Sequence, residues 1–256
     1  ILGWLLIASV FWIAGALAGH EVRIALWIVA VLCEYVSPMF GFALPGLGRS
    51  RTSEWTIEGG HLAERCQLFV IVALGETLLA TGAMLAEAEQ WDGAVISALL
   101  ATFLGTIAMW WLYFGISGKD ATATITGSAE PGRIGAYFRY IHVILLAGII
   151  ATAVGNDLVM AHPHGTASLA EALVLSAGPA IYLIGSAIYR LVVHGRAPVS
   201  HLVAVAVLLA VIPVALRVDF LAMGWITTAV MLATGLWEGR RRRLPHAAPA
   251  AVPPAH

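Results

Sequence analysis

The stretch from residue 61 to 82, HLAERCQLFVIVALGETLLATG, is apolar enough to cross a bilayer, yet it holds four ionisable side chains. They are His61, Glu64, Arg65 and Glu76. A charge at the centre of a bilayer costs about 2.5–3.5 kcal/mol, so such groups persist where they pair, face a cavity or take part in function. These residue types can carry protons or hold ions, and they are the first candidates for chemistry.

Helix geometry places two of these groups on one face. Each residue advances by about 100°, so Arg65 and Glu76 lie within about 20° of each other around a helix. They are about 16 Å apart along its axis and cannot pair with each other. His61 and Glu64 flank the same face. We expect this polar stripe to face the interior of a helix bundle and to find its partners on other helices.

Depth along the chain suggests those partners. Glu34 lies about 10 Å from one end of the second predicted span, and Arg139 and His142 lie about 8 and 12 Å into the fifth from the same side. With the groups at the start of the third span, they would form one nearly neutral cluster. Two interpretations stay open. One is a structural lattice in which Glu34 or Glu64 pairs with Arg65 or Arg139, and the other is a working site.

Glu76 differs from the rest because no basic residue is predicted at its depth. A carboxyl group there is expected to be protonated, hydrogen-bonded or in contact with water, which makes Glu76 the best candidate for proton or cation handling. His142 is a candidate proton relay, although hydrogen bonding alone would also account for it. No hydrolase, nucleotide-binding or zinc motif occurs, so no catalytic residue, metal or cofactor is predicted.

The elements that must position these groups are membrane helices. The chain is 60% hydrophobic and only 11% charged, and its net charge of −1 does not favour nucleic acid. A span needs about 20 residues, and eight segments qualify: about 1–18, 22–41, 61–86, 94–117, 134–160, 169–193, 200–216 and 219–238. We predict an all-α integral membrane protein with a transmembrane domain over 1–238. The chain begins inside an apolar run, so we expect an N-terminal part to precede it.

Loop charges predict the orientation of the spans. When the cluster Arg240–Arg243 is placed in the cytoplasm, most loop cations fall on that side: Arg49, Arg51, Lys119, Arg133, Arg190 and Arg196. Residues 239–256 then form a cytoplasmic tail, first basic and then Ala/Pro-rich and disordered. An aromatic belt is expected at the same interface, formed by Trp110, Trp111, Tyr113 and Phe114.

Small residues predict where helices approach closely. Gly15 and Gly19 form a GxxxG pattern in the first span. A small-residue face follows in the fifth span, formed by Gly148, Ala151, Thr152 and Gly155. Pro179 and Pro213 are expected to bend the sixth and seventh spans.

Two motifs resemble those of a known family. Residues 61–76, HxxERxxLFxIVxLGE, resemble the signature of the bacterial low-temperature-requirement protein A (LtrA) family. Residues 137–163, YFRYIHVILLAGIIATAVGNDLVMAHP, resemble that family's later segment ending in His-Pro. The resemblance implies a polytopic membrane protein with motif positions His61, Glu64, Arg65, Phe69, Gly75, Glu76, Tyr140, His142, Gly148 and Gly155. Family members usually begin with an earlier acidic, Phe-rich helix, which this chain lacks.

The sequence therefore predicts a multi-pass protein of the bacterial inner membrane with a cytoplasmic C-terminus. The favoured function is a transporter or channel-like permease for an unidentified substrate, with a proton or cation as a partner. A non-transporting scaffold with structural charge pairs, acting in stress or cold adaptation, is the first alternative. An intramembrane lipid-modifying enzyme is the second and weaker one. The lipid bilayer is the expected partner, nucleic acid is not, and homo-oligomerisation stays open.

Overall fold

The computed structural model describes residues 1–44, 46, 48, 59–88, 90–115, 127 and 131–243. Within these residues the chain forms helices and isolated β-bridges. The helices are α1 (Leu2–Leu17), α2 (His20–Val36), α3 (Gly59–Glu87), α4 (Gly93–Trp110), α5 (Pro131–Ala161), α6 (Leu169–His194), α7 (Val199–Ala215) and α8 (Phe220–Arg243). A π-helical turn, Trp111–Gly115, continues α4. The predicted all-α fold is confirmed.

Five stretches within these helices are long and apolar enough to cross a membrane. They are Gly60–Glu87, Gly93–Gly115, Ile134–Ala161, Leu169–His194 and Phe220–Arg241. α1 and α7 are apolar but have only 16 and 17 residues, or about 24–26 Å against a hydrocarbon core of about 30 Å. The structure confirms a helical membrane bundle, while full crossing by α1, α2 and α7 stays a prediction.

The C-terminal basic run differs from its prediction. α8 continues through Arg243 instead of ending near 238, so the arginines at 240–243 extend the last span as a helix. Arginine has a high helix propensity, and basic side chains near the C-terminus complement the helix dipole. Residues 244–256 lie outside the described part of the chain, as do the loop cations Arg49, Arg51 and Lys119.

The chain divides into two compact units. The first comprises Ile1–Leu62 and Ala123–Arg139, and the second comprises Ala63–Thr122 and Tyr140–His256. The first unit thus contains the hairpin of α1 and α2 and the first turns of α3 and α5. The second contains the remaining helices and most of α3 and α5.

The hairpin in the first unit confirms half of the predicted GxxxG contact. A Cβ atom at Gly15 would lie 2.6 Å from Nε1 of Trp27, so only glycine allows this approach, whereas no atom lies within 4 Å of a Cβ placed at Gly19. The Arg23 guanidinium donates to the carbonyls of Gly15 (3.3 Å) and Ala18 (3.1 Å). The first bond adds to the one that the Gly15 carbonyl accepts from the backbone N–H of Ala18, and the second satisfies the carbonyl of the residue that caps α1.

α6 is the central helix of the second unit. In its apolar window 67% of the residues are buried, against 22–44% in the other long spans. Ser168 starts the helix with a capping box, because its side chain and that of Glu171 each accept a bond from the other's backbone N–H. Gly195 ends it in the left-handed conformation at φ 71°. Both ends of α6 are therefore set by local sequence.

The predicted small-residue face of α5 is confirmed, and it packs on α6. A Cβ atom at Gly148 would lie 2.6 Å from Cα of Tyr182, and one at Gly155 would lie 3.5 Å from Cα of Leu175. The approach is reciprocal, because a Cβ at Gly178 would lie 2.8 Å from Cα of Thr152. Glycine on both helices lets their backbones touch.

Candidate functional site

An ion pair is buried where α6 and α8 end and α7 begins. Nη1 of Arg190 on α6 lies 2.6 Å from Oε2 of Glu238 on α8, and the side chains are 14% and 4% exposed. The hydroxyl of Ser200, at the start of α7, donates to the other oxygen of Glu238. Both carboxylate oxygens are therefore bonded, which the burial of a charge requires.

A histidine extends this hydrogen-bonded group into α7. His201 is fully buried, with Nδ1 3.2 Å from the Ser200 hydroxyl and Nε2 3.0 Å from the Ser186 hydroxyl on α6. The Ser200 hydroxyl donates its only hydrogen to Glu238, so it accepts from Nδ1–H of His201, and Nε2 then accepts from the Ser186 hydroxyl. The result is one continuous chain of hydrogen bonds, the α6–α8 relay: Ser186, His201, Ser200, Glu238 and Arg190.

A second buried group lies beside the α6–α8 relay. The hydroxyl of Tyr113 lies 2.7 Å from Nε2 of His142 on α5. The ring of Tyr189, which precedes Arg190 on α6, lies 5.8 Å from the Tyr113 ring and 5.7 Å from the His142 ring. All three side chains are almost fully buried. The aromatic side chains of Tyr113 and Tyr189 thus contact His142.

The position of Tyr113 corrects the predicted aromatic belt. Trp110 is 48% exposed, as expected of an interfacial residue, but Tyr113 is only 2% exposed. Tyr113 lies within the π-helical turn, a feature frequent at functional sites. Its hydroxyl needs a partner when it is buried, and His142 supplies one.

A small cavity lies further along α6. Its volume is about 20 Å³, enough for one water molecule. It is lined by Gly105, Met109, Thr152, Asn156, Pro179, Thr227, Thr228 and Met231. Nδ2 of Asn156 is buried and has no hydrogen-bond partner within the described residues. Pro179 also leaves the carbonyl of Leu175 without its usual helical donor.

The predicted charged stripe of α3 has His61 in the first unit and its other three residues in the second. Arg65, Glu76, His61 and Glu64 are all exposed. The buried residues of α3 lie on average about 130° away around the helix: Ala63, Cys66, Val70, Leu74, Thr77 and Thr81. Within the second unit the stripe therefore points away from the packing face of α3, and the expectation that it faces the interior of the whole bundle stays a prediction. Small and hydroxyl side chains make the packing face instead, because they allow close helix contact.

The remaining predicted residues have different surroundings. Glu34 is exposed and accepts a hydrogen bond of 2.9 Å from the Trp12 indole within the first unit. Arg139 is exposed. Only His142 among the seven predicted site residues is buried. Pairing of Glu34 or Glu64 with Arg65 or Arg139 stays a prediction.

The sequence interpretation missed the members of the α6–α8 relay. Arg190 was assigned to the cytoplasmic interface because it lies near a predicted span end, and His201 was hidden by its place at the start of a span. One signal was available. Ser186, Tyr189 and Arg190 follow Tyr182 at intervals of three or four residues, so they form a polar face on an otherwise apolar helix.

Helices long enough to cross a bilayer, with an ion pair and two histidines buried between them, define a polytopic α-helical membrane protein. Residues 1–236 match the family described as Bacterial low temperature requirement A protein (LtrA). The chain belongs to this family, which confirms the resemblance seen in the two motifs.

A similar protein is known from Rhizobium meliloti (strain 1021), the uncharacterized protein RA0937. It is 36% identical over 239 residues, which are 93% of this chain and 58% of that protein. The chain therefore spans under two thirds of its relative's length. No solved structure matches the chain.

Proposed function

We propose that the protein is a transporter or channel-like permease that moves protons or small cations, and that the α6–α8 relay carries a proton. The observation that supports this is the unbroken hydrogen-bond chain from Ser186 through His201 and Ser200 to Glu238. Ionisable groups inside a membrane protein are costly, and chains of His and carboxylate side chains are typical of proton relays in pumps and transporters.

The relay has a balanced proton-transfer step. A proton delivered through Ser186 binds Nε2 of His201 while Nδ1 releases its proton to the Ser200 hydroxyl. Ser200 passes its own proton to Glu238. His201 ends neutral with its tautomer exchanged, Ser200 is again a hydroxyl, and Glu238 becomes a neutral acid. The net result is one proton moved from α6 to α8.

Protonation of Glu238 would also change the packing of the helices. The neutral acid no longer attracts the Arg190 guanidinium as an ion, so the contact between the ends of α6 and α8 weakens. Loss of the proton restores the pair. Proton transfer is thus linked to the separation of two helices, which is what coupled transport requires.

The small cavity supports a path beyond the relay. It lies beside Pro179, and the buried Nδ2 of Asn156 in its lining can donate to a water molecule there. Tyr182 lies between the cavity and the relay on α6, and its hydroxyl donates to the carbonyl of Met109, a cavity residue, at 2.6 Å. Polar groups therefore recur along one side of α6.

A non-transporting scaffold is the second candidate. The bond of 2.6 Å between Arg190 and Glu238, with both charges paired, is also what a structural link between α6 and α8 would show. In that case the proton on His201 never moves, and the relay only fixes the arrangement of the helices.

The membrane and orientation are also proposals. We assign the protein to the bacterial inner membrane with the C-terminal end of α8 in the cytoplasm. The helical run at 240–243 supports this assignment, because cationic residues next to a span remain on the cytoplasmic side.

Proton flux into liposomes separates the two functions. Purified full-length protein is reconstituted with an internal pH-sensitive dye, and a potassium diffusion potential drives proton entry. We expect the wild-type protein to acidify the interior and His201→Gln to slow this by about a hundredfold, the usual contribution of a positioned acid or base. His20→Gln is the matched control, since His20 is exposed on α2.

The outcomes are distinct. If His201→Gln melts like the wild type and carries protons at the wild-type rate, the relay does not conduct and the proposal fails. If the wild-type protein carries neither protons nor Na⁺ or K⁺, the scaffold function replaces transport.

A further inference from the structure

The π-helical turn that continues α4 contacts α5, α6 and α8 within the second unit. Trp111 begins the turn and Gly115 ends it. The whole turn belongs to this unit, as do α6, α8 and the part of α5 from Tyr140 onward. Turns of this kind are rare and occur frequently at functional sites. The contacts of the turn therefore indicate which parts of the site it holds together.

Trp111 connects the turn to α8 beside Glu238. A Cβ atom at Gly235 would lie 2.8 Å from Cε3 of the Trp111 indole, and one at Gly239 would lie 3.5 Å from Cζ2. The indole therefore packs directly against the backbone of α8 over one helical turn. Glu238 precedes Gly239 and lies about 60° around the helix from Gly235. The carboxylate of the ion pair and the surface that the indole contacts are thus on adjoining faces of α8.

Tyr113 connects the same turn to α5 and α6. Its hydroxyl lies 2.7 Å from Nε2 of His142, and its ring lies 5.8 Å from the ring of Tyr189. Tyr189 directly precedes Arg190, which is the cation of the buried pair. The turn thus contacts α6 next to Arg190 and α8 next to Glu238, and it also holds His142.

Two further contacts fix the position of the turn. The hydroxyl of Tyr182 on α6 donates to the carbonyl of Met109 at 2.6 Å, two residues before Trp111. A backbone carbonyl has two lone pairs, so it can accept this bond beside one within its own helix. At the other end, a Cβ atom at Gly115 would lie 2.9 Å from Nε1 of Trp111, so the backbone closes tightly over the indole. The turn is therefore attached to α6 at its start and packed on the Trp111 indole at its end.

We propose that the π-helical turn couples the Arg190–Glu238 pair to the hydrogen bond between Tyr113 and His142, with Trp111 as the connecting residue. While the pair is formed, α8 packs on the indole and the turn holds Tyr113 on His142. When the pair is broken, the end of α8 is released from α6 and moves relative to the indole. Packed surfaces respond to such shifts by changing between discrete arrangements. The turn then leaves its π register and carries the Tyr113 hydroxyl away from His142.

The coupling makes the two buried polar groups act in sequence, and this role rests on the proposed function. A proton that reaches Glu238 neutralises the carboxylate and weakens its pairing with Arg190. Through the turn, the same proton would release His142 from Tyr113, and histidine is a side chain suited to proton exchange. Coupling between two sites is reciprocal, so loss of the Tyr113 hydroxyl should also weaken the ion pair.

Fluorine NMR on the purified full-length protein in lipid nanodiscs tests the coupling. Fluorotyrosine at position 113 is the probe, and His142→Gln identifies the signal of the released form. Glu238→Gln imitates the protonated acid and keeps an oxygen that accepts from Ser200. We expect it to raise the ratio of released to bonded form by about tenfold, within the usual range of coupling between sites. Glu87→Gln, at the exposed end of α3, is the matched control and should leave the ratio unchanged.

Substitutions around the indole test whether the turn is the link. Trp111→Leu should make the fluorine signal insensitive to Glu238→Gln. The matched control is Trp110→Leu at the neighbouring residue, which is 48% exposed, and here the effect of Glu238→Gln should remain. Gly235→Ala displaces the indole without removing it, so it should raise the released form while the carboxylate is intact. This variant keeps the test decisive if Trp111→Leu does not fold.

The outcomes separate the coupling from the transport function. An unchanged ratio in folded Glu238→Gln would overturn the coupling. A rise that persists in Trp111→Leu, or a ratio that Gly235→Ala leaves unchanged, would overturn the role of the turn, because the effect would then pass through another contact. Proton flux is measured on the same protein in liposomes. The expected rise in a protein that carries no protons would support the coupling and reject the proposed transport, because the fluorine signal requires no flux.

Discussion

Removal of one partner from the Arg190–Glu238 pair should destabilise the protein strongly. In Arg190→Leu the carboxylate of Glu238, which is 3% exposed, keeps only its bond to Ser200. Removing one partner of a buried pair typically costs about 3–5 kcal/mol, because an uncompensated charge stays inside. The effect should be near the upper end of this range, since the carboxylate lies at the crowded meeting point of three helices.

Removal of the other partner, Glu238, should lower the free energy of unfolding by less. Glu238→Leu leaves the guanidinium of Arg190 without its carboxylate, but Arg190 is 14% exposed and near the end of α6. Its long side chain can turn toward the interface. We expect a loss of about 1.5–3 kcal/mol, the usual value of a hydrogen bond to a charged group. The asymmetry between the two single variants follows directly from the difference in their burial.

The double variant completes a thermodynamic cycle. Arg190→Leu with Glu238→Leu removes both charges and fills the space with apolar atoms, which is often close to neutral. Residues in contact show interaction energies of about 0.5–3 kcal/mol, whereas distant residues add within about 0.5 kcal/mol. We expect the double variant to be more stable than Arg190→Leu by at least about 2 kcal/mol.

Reversible unfolding in mixed micelles measures these differences. The free energy of unfolding is obtained for the wild type, both single variants and the double variant at one lipid and detergent ratio. Glu87→Leu, at the exposed end of α3, is the control for loss of an acidic side chain. Additive single effects would refute the reasoning, because they would mean that the two side chains do not interact in the folded protein.

Three further predictions test the packing, the second polar group and the orientation. Gly148→Ala should lower stability by about 1–3 kcal/mol, because its Cβ would enter the backbone of α6; Gly82→Ala, with open space around it, should be neutral or stabilising, and equal effects on melting would contradict this. Tyr113→Phe should cost about 1–3 kcal/mol by leaving the buried imidazole without its hydroxyl partner, and an unchanged melting temperature would show that this bond is weak. Cysteines placed at Ala161 and Ala197 should be labelled from opposite sides of the membrane, and labelling from one side would refute the alternation of α5 and α6.

The fold was predictable because hydrophobic length is a strong signal. Each apolar run of the sequence corresponds to one helix, and the runs at 61–86 and 169–193 match α3 and α6 within two residues. The ends of the helices were less predictable from the sequence. The run at 240–243 is helical because arginine favours helix as long as water can reach its side chain, and a hydrophobicity pattern does not register this.

The site was harder to predict because depth follows from the sequence but the choice of partner does not. Arg65 and Glu76 share one face by helix geometry, and that part of the reasoning agrees with the structure. Which face packs was decided by Ala63, Cys66 and Thr77, whose small size permits close contact. His142 was predicted as a site residue because a polar residue is conspicuous in an apolar run. Its contact with Tyr113 was not predicted, because Tyr113 belongs to an aromatic cluster that resembles an interfacial belt.

A charge within the membrane is stable only where an opposite charge or a hydrogen-bonding group contacts it, and the two charged groups of residues in the chain differ in this respect. In the α6–α8 relay the charges of Arg190 and Glu238 meet inside the second unit, so this chain alone can stabilise them. On α3, Glu76 lies near mid-span on a face that is exposed in the second unit, so the packing face of that unit does not stabilise it. The charges of the relay are therefore satisfied within one unit, whereas Glu76 depends on its surroundings outside the packing face of α3. If the relay serves transport, His201→Gln should slow proton flux about a hundredfold in any membrane preparation, because every bond of the relay lies within this one unit.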